Sequence, residues 1–201
     1  MGAWDNIAQE WDRVRRKPVK TAEILANKWM PGKILDIGCG NGRNLLPFLN
    51  RGFDCFGIDS SKELIKLAKE RITGAKLIVA NAAKLPFPDK SFDYAICLAV
   101  LHHLKPAQHK KAVSEIHRVL KPGGKAAIAV WNKLQPRFIF GKKERTVPWK
   151  TTSGKVFGRY YYFFTFWELK SLLKKHGFAI KEGKGRFGKN IEFICARSRK
   201  G

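Results

Sequence analysis

The chain has 201 residues, of which 44% are hydrophobic and 12% aromatic, and its 40 Lys and Arg outnumber 16 Asp and Glu to give a net charge of +24. This length fits a single α/β domain, and the composition excludes wholesale disorder and collagen-like repeats. The longest apolar stretches are strand-sized and no signal-peptide pattern is present, so we expect no membrane span and a cytoplasmic location. So large a charge excess destabilises a compact chain by self-repulsion, which points to a polyanionic partner, with nucleic acid favoured over an anionic membrane surface.

The positive charge is concentrated in the last third of the chain. Residues 133–201 hold 18 basic and 4 acidic residues, against 22 and 12 in residues 1–132. Within one predicted domain spanning 1–201, residues 1–32 are expected to form N-terminal helices and 133–158 a basic, aromatic insertion without a clear period. The four cysteines form no C-x-x-C pair and are expected to be buried thiols, so no metal site is predicted.

Strands and helices alternate through most of the sequence. The predicted strands of the first two thirds are 33–37, 54–58, 76–79, 94–98 and 125–130. The predicted helices there are 7–16, 20–29, 44–51, 62–71 and 106–120. Such alternation predicts a parallel sheet with helices on both faces. A helix at 166–176 precedes strands at 178–181 and 191–197, whose short link leaves no room for a helix, so they should form a hairpin with an antiparallel last strand.

A glycine loop joins the first predicted strand to the next helix. The segment Asp36-Ile37-Gly38-Cys39-Gly40-Asn41-Gly42 has glycines where a backbone approaches a ligand closely and helix N–H groups face it. Asp59 ends the second strand 23 residues after Asp36, a position from which a carboxylate accepts hydrogen bonds from both hydroxyls of an adenosine ribose. Together they indicate an adenosine-containing ligand.

Two common adenosine ligands are disfavoured by the same loop. The dinucleotide fingerprint G-x-G-x-x-G would need glycine where Arg43 stands, which disfavours NAD. The segment Gly42-Arg43-Asn44 does not supply the Gly-Lys-Ser/Thr of a nucleotide-triphosphate loop, which disfavours ATP. S-adenosylmethionine has no phosphate, and its ammonium needs acceptors such as the Asp36 carboxylate and the loop carbonyls, so it is the favoured cofactor.

Four motifs resemble the class I S-adenosylmethionine-dependent methyltransferases over about residues 33–130. They are Leu35 to Gly42, Gly57 to Ser61, Leu85-Pro86-Phe87 with Ser91-Phe92-Asp93, and Arg118 to Gly124. The resemblance implies a Rossmann-like α/β fold with a seven-stranded, mostly parallel sheet, an antiparallel last strand and helices on both faces. It also implies a cofactor site made by Asp36, Gly38, Gly40, Asn41, Asp59, Ser60, Asn81, Ala82 and Leu98. The family often has Asp where Asn81 stands, and an Asn carbonyl can accept the same adenine hydrogen bond.

The methyl-accepting site is expected where the fourth strand ends, at residues 98–104. No Asn/Asp-Pro-Pro-Tyr/Phe motif is present there, which disfavours N-methylation of a base, and no placed cysteine supports methylation of a pyrimidine carbon. His102 offers a general base for an O-methyl transfer, since imidazole titrates near neutrality. The alternative is that His102 and His103 line the pocket or cap the strand.

Further motifs resemble the tRNA carboxymethyluridine methyltransferases, a family that includes the methyltransferase part of the eighth AlkB homologue. They are Trp4 to Trp11, Arg15 to Pro18, Leu98 to Leu104, Trp131 with Gln135, Val147 to Trp149, and Arg159 to Phe164 with Glu168-Leu169. This resemblance implies methyl esterification of 5-carboxymethyluridine at the tRNA wobble position (34), with the N-terminal helices over the active site. It also implies the tRNA anticodon stem-loop as partner and a small zinc-containing methyltransferase activator subunit as a candidate partner.

A carboxylate substrate requires positioning and no general base, because it is already ionised at neutral pH. Arginine is its expected partner, since the planar guanidinium binds a carboxylate bidentately. Arg15 and Arg159 stand at matching family positions, with Tyr160 as a wall or hydroxyl donor. Positive and aromatic side chains are expected to meet RNA phosphates and an unstacked base. These substrate-binding candidates are Arg16, Lys142, Lys143, Arg145, Trp149 and Tyr161.

Two other functions stay open at this point. A small-molecule O-methyltransferase would share the cofactor motifs but gives little reason for a charge of +24. A non-catalytic methyltransferase fold that binds RNA would explain the charge, but the intact Asp36, Gly38, Gly40 and Asp59 argue against it.

Overall fold

The computed structural model describes residues 2–136 and 138–198. Backbone contacts group the chain into two compact units, one made of 1–82 with 148–159 and the other of 83–147 with 160–201. The single domain expected from the length stays a prediction. Among the described residues, none of the helices combines the length and the apolar composition that crossing a bilayer requires.

The first unit contains three parallel strands and most of the N-terminal helices. Its elements are α1 (Ala3–Val14), α2 (Lys20–Lys28), β1 (Lys33–Ile37), α3 (Leu46–Leu49), β2 (Asp54–Asp59), α4 (Lys62–Arg71) and β3 (Ala75–Val79). β1 pairs with β2 from Lys33↔Asp54 to Ile37↔Ile58, and β2 pairs with β3. α4 begins at a capping serine, because the Ser61 hydroxyl accepts a hydrogen bond from the Leu64 N–H at 3.2 Å.

The second unit contains a parallel pair followed by an antiparallel hairpin. Its elements are β4 (Phe92–Leu98), a 3-10 turn (Leu101–His103), α5 (Pro106–Val119), β5 (Leu120–Trp131), α6 (Phe166–Lys175), β8 (Phe178–Lys184) and β9 (Asn190–Arg197). β4 and β5 are parallel, whereas β9 is antiparallel to both β5 and β8. β6 (Glu144–Lys150) and β7 (Val156–Tyr162) form a separate two-stranded sheet.

The seven main strands follow the order β3-β2-β1-β4-β5-β9-β8. This is the α/β architecture predicted from the sequence, a mostly parallel seven-stranded sheet in which β9, the last strand, runs antiparallel. β1 and β4 read as near-continuous apolar runs because both of their faces are buried, as parallel strands require. The carboxyl ends of these strands are where an open α/β sheet binds ligands.

Three segments differ from the sequence prediction. α3 spans only Leu46–Leu49, because the residues after Gly42 form turns before the helix begins. β5 begins at Leu120, so Pro122 and the two following glycines belong to the strand. Its pairing with β4 passes from Phe92↔Leu120 to Tyr94↔Lys125, and a bulge accommodates the extra residues of β5. The insertion expected to lack a period contains β6, whose residues alternate between exposed and half-buried.

Candidate active site

The glycine loop after β1 is held in a conformation that favours glycine. Gly38, Gly40 and Gly42 have φ angles of 72°, 55° and 77°, a left-handed region that other residues rarely adopt. The N–H groups of Gly38 and Cys39 donate to the carbonyl of Ile58 at 2.7 and 2.8 Å, which fastens the loop to the end of β2. A Cβ on Gly40 would lie 3.2 Å from the Trp11 ring, so α1 packs closely against this loop.

Two carboxyl groups lie at the ends of β1 and β2, one buried and one half-buried. Asp36 is 1% exposed, and its Oδ2 has no hydrogen-bond partner among the described residues. Burial and, to a smaller extent, the nearby Asp59 raise the pKa of Asp36 to about 8. Asp59 accepts hydrogen bonds from the N–H groups of Gly40 and Ser61, both at 2.9 Å, and burial raises its pKa as well.

These carboxyl groups fit the predicted cofactor. A buried carboxylate with an unmet oxygen is costly unless a cation or donor reaches it, and the cofactor's ammonium can supply both to Asp36. The ribose hydroxyls are expected to donate hydrogen bonds to the carboxylate of Asp59 at the end of β2. Of the other predicted cofactor residues, Ser60 and Asn81 are exposed, while Ala82 and Leu98 are buried at 7% and 9% exposure.

Helix α1 is fastened to the glycine loop and α4 by two acids that sequence analysis missed. Asp12 accepts a hydrogen bond from Asn41 Nδ2 at 2.8 Å and pairs with Arg71 at 2.6 Å. Asp5 accepts a hydrogen bond from the Ser61 hydroxyl at 2.6 Å. The Asn41 side chain therefore supports the loop from the α1 side. No local sequence signal pointed to this anchoring, because Asp12 and Asn41 lie 29 positions apart.

The two arginines predicted to hold the substrate carboxylate both belong to the first unit, but their side chains have different surroundings. The guanidinium carbon of Arg159 lies 4.9 Å from the ring centre of Trp149 and 5.7 Å from that of Trp4. These cation–π contacts hold the planar group between two indoles. Arg15 is exposed, like Arg16, and its carbonyl oxygen accepts from Asn41 Nδ2 at 2.9 Å.

In the second unit, His102 is buried in an aromatic cluster. Its ring stacks on Tyr161 with 5.3 Å between centres and an angle of 12°, and it is 1% exposed. Its Nδ1 accepts a hydrogen bond from the backbone N–H of Trp131 at 3.1 Å. Because Nδ1 is the acceptor, the neutral ring carries its proton on Nε2 and cannot take up a second proton without losing this bond. The geometry favours the lining role of His102 over that of a general base.

The adjacent tyrosines are engaged with other side chains. The Tyr160 hydroxyl donates to Glu144 at 2.7 Å, and burial together with this acid raises the pKa of Tyr160. The Tyr160 carbonyl accepts a hydrogen bond from His103 Nδ1 at 3.0 Å. Tyr161 is 2% exposed, so its ring is a wall of the cluster rather than a surface for solvent.

The three cations of the 133–158 insertion that are predicted to bind RNA have different surroundings. Lys142 is exposed. Lys143 pairs with Glu168 at 3.0 Å. The guanidinium of Arg145 lies 5.7 Å from the ring centre of Phe138.

The chain is similar to a methyltransferase family and to other proteins over most of its length. Residues 35–128 match a family described as "Methyltransferase domain". An uncharacterized methyltransferase from Synechocystis is 30% identical over 97% of this chain and 87% of its own length. A protein of known structure from Pyrococcus horikoshii, PH0226, shares 26% identity with a TM-score of 0.75, covering 94% of this chain and 99% of its own.

Relatives with named substrates match a smaller part of the chain. The tRNA (carboxymethyluridine(34)-5-O)-methyltransferase of Arabidopsis thaliana is 40% identical over 64% of this chain, and the match covers 31% of that protein. The chain spans about a third of the length of such curated relatives. A structure described as a complex between the Haloferax volcanii Trm112 methyltransferase activator and a putative methyltransferase shares the fold, with 17% identity, a TM-score of 0.73 and coverage of 99% and 96%.

Proposed function

The chain belongs to the S-adenosylmethionine-dependent methyltransferases, and we propose that it methylates the carboxylate of 5-carboxymethyluridine at the wobble position of a tRNA, forming a methyl ester. The observation that carries this proposal is the guanidinium of Arg159, held between the rings of Trp4 and Trp149. A fixed, planar guanidinium suits bidentate binding of a carboxylate. The identity of 40% with the Arabidopsis tRNA methyltransferase supports the same substrate.

The residues of the chain have distinct tasks in this reaction. When bound, the cofactor supplies the methyl group. Asp36 and Asp59 hold its ammonium and ribose, and Arg159 and Arg15 orient the substrate carboxylate. Since a carboxylate is already ionised, no side chain has to remove a proton from it. The buried His102, with Nδ1 engaged by the Trp131 N–H, is consistent with a reaction that needs no base.

The test is to identify the methylated nucleoside. Bulk tRNA is incubated with the enzyme and labelled S-adenosylmethionine, digested to nucleosides and analysed by mass spectrometry. The expected product releases methanol under mild alkali, as an ester does. A base-stable methyl group would contradict the proposal and would favour a hydroxyl or amine acceptor.

Three substitutions separate an arginine-dependent reaction from one that uses a histidine base. Arg159→Lys and Arg15→Lys keep the charge but lose the bidentate fork, so each is expected to lose turnover. His102→Ala is expected to cost less than either. An inactive His102→Ala enzyme beside fully active lysine variants would contradict the ester mechanism and assign His102 as a base.

We also propose that the enzyme acts in the cytoplasm with a small zinc-containing activator subunit, as the Haloferax complex suggests by its fold. The corresponding measurement compares turnover of the purified chain on tRNA with and without an added activator of this type. Turnover that the activator leaves unchanged would show that this chain works alone.

A further inference from the structure

The loop that joins β8 to β9, residues 185–189, is held in shape from the interior of its unit. Asn132 is fully buried, and its Nδ2 donates to the carbonyls of Gly185 and Arg186 at 2.8 and 3.1 Å. The backbone N–H of Asn132 donates to the Lys189 carbonyl at 2.9 Å. Gly185 has φ +88°, and a Cβ there would lie 1.8 Å from the Asn190 carbonyl oxygen. These three hydrogen bonds support the loop in the conformation described.

This loop and the start of α6 present cations beside exposed aromatic rings. The guanidinium carbon of Arg186 lies 4.7 Å from the ring centre of Trp167, and Lys170 Nζ lies 5.1 Å from the same centre. Trp167 is 56% exposed and Phe187 is 77% exposed. We call Trp167, Lys170, Arg186 and Phe187 the loop patch.

The composition of the loop patch suits single-stranded nucleic acid. An arginine stacked on an indole keeps its N–H edge available, and that edge binds phosphate bidentately. An exposed aromatic ring stacks an unpaired base with little regard to sequence. Residues 184–190 contain three basic residues and no acid, so the loop and its two ends attract a polyanion.

We propose that the loop patch is a second RNA contact of this enzyme, which binds an unpaired segment of the substrate tRNA away from the nucleotide that is methylated. Arg186, steadied by Trp167, binds a phosphate, and Phe187 stacks a base. The identity of the RNA as a tRNA rests on the proposed function. The capacity of the patch to bind single-stranded RNA rests on its own geometry.

Binding can be measured without any methyl transfer. The probes are a labelled oligouridylate of about 12 nucleotides, an RNA duplex of equal length and unmodified bulk tRNA. Phe187→Ala is expected to weaken oligouridylate binding about fivefold or more while leaving duplex binding unchanged. Arg186→Ala is expected to weaken binding to all three RNAs. The slope of log affinity against log salt concentration should also become less steep, by about the amount that one phosphate contact contributes. Lys181→Ala, which removes an exposed charge from β8 outside the loop, is the charge-matched control.

The outcomes separate this inference from the proposed function. One outcome would overturn the loop patch and leave the methyltransferase function intact. In it, the enzyme turns over tRNA normally, and Phe187→Ala and Arg186→Ala bind oligouridylate as tightly as Lys181→Ala does. Weakened RNA binding in the loop variants, in an enzyme that makes no methyl ester, would support the patch and contradict the substrate. The melting temperature of Phe187→Ala is expected to equal that of the wild type, because the ring is 77% exposed. An unchanged melting temperature shows that weaker RNA binding does not result from unfolding.

Discussion

The Asp36 carboxyl group shows how a single residue links cofactor binding to stability. It keeps its proton in the folded protein up to a pKa of about 8, whereas in the unfolded chain it loses it near pH 4. Between these values the folded state binds more protons, so the contribution of Asp36 to stability falls as pH rises. A charged, buried Asp36 is costly without a cation beside it, and under the proposed function the cofactor's ammonium is that cation.

We therefore predict that Asp36→Asn stabilises the cofactor-free protein and weakens cofactor binding. The free energy of unfolding should rise by about 2 kcal/mol or more at pH 8, and by less at pH 5, because the wild-type penalty grows with pH. Thermal unfolding of both proteins at the two pH values measures this. In calorimetry, S-adenosylhomocysteine should bind the variant at least about tenfold more weakly. An equal stability difference at both pH values would contradict the assigned titration.

His102 leads to a second prediction, because its Nδ1 satisfies a backbone donor. His102→Ala leaves the Trp131 N–H without its acceptor and should lower the free energy of unfolding by about 1–3 kcal/mol. His102→Asn offers an amide oxygen close to the same place and should be less destabilising. Both variants should keep the pH profile of turnover of the wild type. A profile that loses a limb near pH 6–7 in both would instead assign a proton-transfer role to the imidazole.

At the scale of elements, some features of the structure follow from short sequence motifs, and others depend on contacts between residues far apart in the sequence. The positions of Asp36 and Asp59 were predictable because each lies at the carboxyl end of a strand within a short local motif. The anchoring of α1 was not, because the Asp12 contact with Asn41 joins residues 29 positions apart. The β6 strand was missed for a different reason, since Pro148 interrupts its alternating pattern and proline usually marks an edge or a break.

The anchoring of α1 gives the third prediction. Asp12→Ala leaves Arg71 and Asn41 without their partly buried acceptor, so the free energy of unfolding should fall by about 2–4 kcal/mol. Since α1 packs on the glycine loop, affinity for S-adenosylhomocysteine should fall as well. Lys76→Ala is the control, because its pair with Asp54 spans 3.9 Å with both side chains more than half exposed, and it should change stability by less than about 1 kcal/mol.

At the scale of the whole molecule, the net charge of +24 acts on folding and on the proposed RNA binding in opposite directions. Without a polyanion, the cations repel one another and lower the stability of the compact state. With RNA bound, the same cations release counterions from the phosphates and stabilise the complex. The proposed cofactor site is separate from this effect, because its two carboxyl groups and glycine loop are local features of the first unit.

The fourth prediction is that added potassium chloride has opposite effects on the two processes. Between roughly 50 and 200 mM salt, tRNA affinity should fall by about a thousandfold if six or more cations meet phosphates. Over the same range the melting temperature of the RNA-free protein should rise by about 2 °C or more, because screening relieves the repulsion among its cations. Affinity for S-adenosylhomocysteine, which meets buried and partly buried groups, should change little and serves as the internal control. A melting temperature that falls steadily with salt would show that attractive ion pairs such as Arg71–Asp12 outweigh the repulsion, and that the charge excess does not destabilise this fold.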